Sequence, residues 1–255
     1  MAMALEKRET EAHAEQTEFT MFRKVWRLLR GKEKISLAQK VSLMRASVMG
    51  ANDGIISVAG IVLGVAGATT NNFAIFISGI GGMLAGTISM AMGEFVSVHS
   101  QKDAQERAVA REQQQLAVDG RKQQQFIADK LQHSGISRQL AERASEEMMA
   151  KDPLTAIVRE KYGFHLNDLT SPFLAAMSSM VSFTAGSVLP LVAITLLPET
   201  WKIVGTGIAV FIALFVTGYS AAVLGNANRV RGVARNVVAG LLTMTVTYLV
   251  GSLFA

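Results

Sequence analysis

Apolar residues in this chain are gathered into five long runs, near residues 45–68, 73–98, 172–197, 201–224 and 233–254, with polar or charged stretches between them. A helix rises about 1.5 Å per residue and a bilayer core is about 30 Å thick, so each run is long enough to cross a membrane. The connections are unequal. Thr69-Thr-Asn-Asn72 and Pro198-Glu-Thr-Trp-Lys202 are short, whereas residues 99–171 form a long polar insert. No Pro or Gly interrupts Glu94 to Val118, which predicts that the second spanning helix runs unbroken into the insert. Asp119-Gly120 marks a turn, and a further helix is expected over 121–132. Ser137 is placed to cap another, and Asp152-Pro153 opens a last one that Tyr162-Gly163 closes. The expected fold is an all-α membrane protein with five transmembrane helices and a cytoplasmic helical insert between the second and third. Its expected divisions are 1–40, 41–98, 99–171 and 172–255.

Ahead of the first run, residues 1–16 are polar and rich in Glu. Phe19, Phe22, Trp26 and Leu29 then recur at helical spacing, with Arg23, Lys24, Arg27 and Arg30 filling the other face. Such a basic amphipathic helix suits an anionic membrane surface, and equally suits packing on the insert. Met1-Ala-Met-Ala-Leu-Glu-Lys-Arg8 leads into no apolar core, so insertion is expected to use the first span itself rather than a cleaved signal.

Charge sets the expected orientation. Ten Lys/Arg fall up to and including Arg45, eleven lie between the second and third runs, and three (Arg229, Arg231, Arg235) lie between the fourth and fifth. Lys202 is the only basic residue in the two alternate connections, out of 25 in the chain. The basic side is expected to be the cytoplasm, with the N-terminus inside and the C-terminus outside. The net charge of +5 therefore reflects membrane topology, and no nucleic-acid partner is expected. With no Cys, disulfides and thiolate metal sites are excluded, while thirteen Met offer softer thioethers. No catalytic constellation appears, so the chain is not read as an enzyme.

Candidate chemistry is concentrated in the first two runs. Among the 23 residues after Arg45, the one ionisable side chain is Asp53. A carboxylate at mid-membrane costs about 2.5–3.5 kcal/mol on insertion scales, so it needs a task or a partner. Gly50, Gly54, Gly60, Gly64 and Gly67 strip the same helix of bulk, in a spacing that lets helices pack closely. An ion site is one reading; an acid satisfied by Asn52 or a neighbouring helix is the other. In the second run, Met83 and Met90 share a face and Glu94 lies one turn beyond Met90. His99, at the membrane boundary, fits a surface His as well as a proton relay. The last three runs carry hydroxyls but almost no charge and read as scaffold.

At Ala51-Asn-Asp-Gly-Ile-Ile56, together with Ile88-Ser-Met-Ala-Met-Gly-Glu-Phe-Val-Ser-Val98, the sequence resembles the vacuolar iron transporter family, which includes bacterial members and plant nodulin-21-like proteins. The resemblance covers residues 40–255. It implies a homodimer whose first spans meet at the two-fold axis, and export of Fe²⁺, often also Mn²⁺, from the cytoplasm in exchange for protons. It assigns metal ligation to Asp53 and Met90, and to Glu94 part of the work of an acid that plant vacuolar members carry where this chain has Gly82. Asn52 is either a further ligand or a structural hydrogen bonder. In the insert, the family's metal-binding positions fall on Glu112, Gln115, Gln123, Phe126, Ile157, Val158 and Lys161, of which Glu112 alone is acidic; Glu160 or Met149 are alternative ligands there.

Asp, Met and amide oxygen together suit a borderline divalent ion better than Mg²⁺ or Ca²⁺. An acid that loses its proton when metal arrives also accounts for proton coupling. The metal is cargo; no cofactor is expected. Expected partners are a second copy, membrane lipid and divalent metal, in an inner or plasma membrane if the source is bacterial. The second function reading is a membrane-anchored interaction protein whose Gln-rich insert binds a partner, with a vestigial transport site.

Overall fold

The computed structural model describes residues 37–166 and 171–255, so the basic amphipathic segment expected near residues 19–29 lies outside the described residues. Within them the chain forms α1 (Leu37–Ala68), α2 (Asn72–Val118), α3 (Gly120–His133), α4 (Arg138–Lys151), α5 (Pro153–Tyr162), α6 (Pro172–Leu196), α7 (Lys202–Leu224) and α8 (Arg229–Ser252). Five of these, α1, α2, α6, α7 and α8, are long and apolar enough to cross a membrane. The expected α2 continuity holds over 47 residues.

Helix α1 is the hub. Ile55, Val58, Ala59, Val62 and Leu63 on it pack with Ile75 of α2, Leu191 and Ile194 of α6, Val210 and Leu214 of α7 and Met244 of α8. Absent side chains make this possible. A Cβ on Gly54 would stand 2.2 Å from the Phe183 carbonyl oxygen, and one on Gly186 would stand 2.2 Å from that of Ala51. On the other flank, Gly251 of α8 lies so close to Gly64 that a Cβ would come within 1.8 Å of its carbonyl oxygen. The glycines of the first run thus serve intrachain packing against α6 and α8. Outward faces carry Ile88, Ile212, Val216 and Leu242, apolar and exposed, as lipid-facing positions should be.

The insert is a small bundle built on the end of α2. Ile127, Ala156, Ile157 and Val158 form its centre, with Val109 and Leu116 of α2 against them. Its joints are sharply specified. Asp119 is both the last cap of α2 and the first of α3, accepting from the Lys122 N–H. Asp152 caps α5 through the Thr155 N–H and hydroxyl, which hold its carboxyl below the usual range. Gly163 closes α5 at φ +74°, a conformation that favours glycine. One expectation needs correction: Ser137 occupies the N-cap of α4 but its hydroxyl makes no capping bond. The last helix, capped by Asn228, starts at Arg229, ahead of the expected run from 233, and so carries Arg229 and Arg231 as well as Arg235.

At the far end of the bundle, the two short connections are tied together. Buried Lys202 donates to Glu199 Oε1 at 3.0 Å and to Asn72 Oδ1, while Asn72 Nδ2 donates to the same Glu199 oxygen at 2.9 Å. Glu199 is held below the usual carboxylate range, first by the Asn72 bond and then by Lys202.

Candidate ion site

Arg45, Met49 and Asp53 recur every fourth residue, so they stack along one face of α1, and all three are exposed in the single chain. Ser57, one turn further, donates to Asp53 Oδ1 at 2.8 Å. Among the described residues no Lys or Arg pairs with Asp53. Arg45 instead reaches across to α2, where its Nη2 lies 3.0 Å from Glu94 Oε1, and its Nη1 contacts Met49 Sδ at 3.6 Å. Glu94 is largely buried by this pairing, with its side chain 12% exposed against 51% for Arg45.

The levels of the two helices follow from their contacts. A Cβ on Gly82 of α2 would meet the Ile61 side chain of α1, and Glu94 meets Arg45. Asp53 lies midway between 45 and 61, and Met90, half-buried, lies between 82 and 94. The antiparallel pair therefore brings Asp53 and Met90 to a similar depth, with Glu94 one turn nearer the insert. Asn52 stands apart from this face. Its Oδ1 is buried and accepts no hydrogen bond. Among the described residues no three His, Asp or Glu side chains gather at a common point.

Hydroxyls on α6 hold the frame around these helices. Ser178 and Ser47 share a bond of 2.6 Å, Thr184 and Thr87 one of 3.0 Å, and Ser187 donates to the Gly54 carbonyl at 3.4 Å. The third span is thus bonded to both helices that carry the candidate ligands.

The insert's acid is handled differently. Glu112, 1% exposed, accepts from Lys161 Nζ at 2.7 Å on one oxygen and from the Tyr162 hydroxyl at 2.8 Å on the other. Hydrogen bonding to that carboxylate pushes the Tyr162 hydroxyl above the usual phenol range. Gln115, Gln123 and Phe126 join the same cluster, whereas Ile157 and Val158 lie in the apolar centre of the insert. Of the alternative ligands, Glu160 pairs with Lys130 and Arg159, and Met149 packs against the apolar centre. His99 stacks on Phe95 and stands 3.6 Å from Asp103, and His133 Nδ1 lies 2.8 Å from the Asp129 carbonyl.

Two members of the α1 face, Arg45 and Met49, are not singled out by the sequence, where Arg45 enters as a topology charge; the signal for both is their four-residue spacing from Asp53.

A bundle of five membrane-crossing helices, with a lone carboxylate on its hub and a helical insert on its second span, defines a multi-pass membrane protein. The profile of the VIT family matches residues 44–252, and the chain belongs to that family. It is 32% identical over 225 residues to the "Vacuolar iron transporter" of Acanthamoeba castellanii, covering 88% of this chain and 83% of that protein. It is 35% identical over 206 residues to "Vacuolar iron transporter homolog 2" of Arabidopsis thaliana, covering 80% and 81%. Against "Vacuolar iron transporter homolog 2" of Oryza sativa subsp. japonica the figures are 34% over 214 residues, 83% and 90%.

Proposed function

We propose that this protein moves divalent metal, Fe²⁺ and also Mn²⁺, out of the cytoplasm in exchange for protons, with Asp53 as the group that both cargoes occupy. Its membership of a family whose relatives are named iron transporters supports metal transport. The single observation that carries the mechanism is the state of Asp53. It sits on an exposed face of a membrane-crossing helix with one hydroxyl bond and no basic partner among the described residues. A carboxylate cannot face lipid without heavy cost, so a second subunit or a water path must cover that face. In a two-fold dimer joined along α1, two Asp53 and two Met90 meet the ion, and their charges balance it. The thioethers favour a borderline ion over Mg²⁺ or Ca²⁺. Metal arrival expels the proton from Asp53, and departure on the far side lets a proton return.

Arg45 and Glu94 form the inner mouth of this path. Glu94 is paired with Arg45, and an incoming cation takes the place of the guanidinium. Asn52, with its free Oδ1, is a candidate oxygen ligand or water anchor. The insert and both ends of the basic connections face the cytoplasm in this reading, following the Lys/Arg bias.

The test is metal uptake into proteoliposomes with a pH probe inside. Asp53→Asn keeps size and the Ser57 bond but removes the titratable proton. It is expected to abolish metal flux and metal-driven proton movement together, while the protein stays folded. An Asp53→Asn protein that moves Fe²⁺ or Mn²⁺ at the parent rate ends this mechanism and leaves the interaction-protein reading standing.

A further inference from the structure

Among the described residues of the insert one carboxylate is buried, that of Glu112, and the chain supplies its cation. Lys161 Nζ lies 2.7 Å from Glu112 Oε2, 2.9 Å from Gln123 Oε1 and 3.2 Å from Gln115 Oε1. It also stands 5.2 Å from the centre of the Phe126 ring. An ammonium has three N–H donors, and here three separate oxygens receive them. Those oxygens come from α2 and α3, while the lysine comes from the last turn of α5. One nitrogen therefore fastens three helices at a single point. Gln123 Nε2 donates to Gln115 Oε1 at 3.1 Å, which orients both amides with an oxygen toward the ammonium.

A divalent ion does not fit this cage. It offers one carboxylate and two amide oxygens, whereas Ca²⁺ takes six to eight oxygen ligands and a borderline metal is better served where a thioether, imidazole or thiolate joins the carboxylate, none of which these side chains supply. The carboxylate's charge is already neutralised. An incoming metal has to expel an ammonium that is tethered beside the site, and so returns at once.

We propose that Lys161 is the resident cation of the insert. Its ammonium does the cross-linking of α2, α3 and α5 that a dissociable metal ion would otherwise do, and the insert therefore stays assembled at every metal concentration. The insert in this chain is a constitutive structure rather than a metal-loaded one. This holds whether or not Asp53 carries metal through the membrane.

Hydrogen–deuterium exchange on the full-length protein in detergent tests it, read on peptides covering 112–126 and 153–163. Wild-type exchange is expected to be the same in millimolar Mn²⁺ and in excess EDTA. Lys161→Met leaves Glu112 buried without a counter-charge, and exchange there should rise about a hundredfold. Removing both charges, in Lys161→Met/Glu112→Gln, should bring exchange back to within about tenfold of wild type, still indifferent to Mn²⁺. Wild-type peptides that gain protection with Mn²⁺ and lose it in EDTA would mean that metal is the resident cation, and the proposal fails. It fails equally if Lys161→Met exchanges like wild type.

Discussion

Asp53 and Glu112 are both carboxylates on the first two long helices, yet they live in opposite circumstances. Asp53 is exposed on α1 with a single hydroxyl donor. Glu112 is sealed on α2 with an ammonium on one oxygen and a phenol on the other. An acid sealed from water with both oxygens engaged is a structural part, because any new ligand has to break bonds that hold the fold. One with unengaged lone pairs in a membrane helix is poised to take a ligand, because nothing local has to be undone first. Sequence labels both simply as acids; what separates them is the partners that folding brings.

The contrast can be broken most directly by removing each acid in turn and measuring thermal unfolding. Glu112→Ala strands the Lys161 ammonium in a mostly buried site and is expected to destabilise the insert by about 3 kcal/mol. Asp53→Asn should change stability by no more than about 0.5 kcal/mol, since it keeps the Ser57 bond. Equal losses for the two variants would erase the distinction.

A smaller effect is expected at Met90. Met90→Leu keeps bulk and hydrophobicity but removes the thioether, so metal affinity should fall while the folded protein and its proton movement at Asp53 remain. Unchanged metal affinity in a titration of the reconstituted variant would take Met90 out of the ligand set.

The smallest effect concerns a third acid, Glu199, which is engaged like Glu112 but exposed rather than buried. Its folded pKa lies below the ordinary value of about 4.3, so the stability it contributes is present above that value and lost as pH falls through the lower folded one. The far-end tie to Asn72 and Lys202 should therefore hold through the ordinary carboxylate range and loosen only below it. Glu199→Gln should flatten the stability profile below about pH 4.3, by an amount kept small by solvent exposure.

Much of the fold was legible because apolar runs and punctuation agree. The lengths of the runs, the unbroken stretch from Glu94 to Val118, the shared Asp119 turn and the Asp152-Pro153 start are all local signals, and the helices follow them within a few residues. Glycine spacing on α1 announced close packing, but not that α6 and α8 would be the helices received. The site was legible only in part. Asp53 stands out because charge is rare in such a run. Lys161 read as a residue of the wrong sign, since its partners Glu112 and Gln123 lie 49 and 38 positions away along the chain. Arg45 and Glu94 are likewise 49 residues apart, and no periodicity pairs them.

The length of α2 has a mechanical side. Forty-seven residues make a rod of about 70 Å, of which a bilayer core covers about 30 Å. With no joint between Asn72 and Val118, such a rod carries rotation as well as thrust, so any turn of the insert is a turn of the faces that bear Met90 and Glu94. Its angular phase is set by pitch alone: one residue added between 98 and 112 would swing Glu112 about 100° round the axis while leaving every contact of the membrane half in place. The second span is an axle as much as a wall, and the count of residues along it decides which way each end faces.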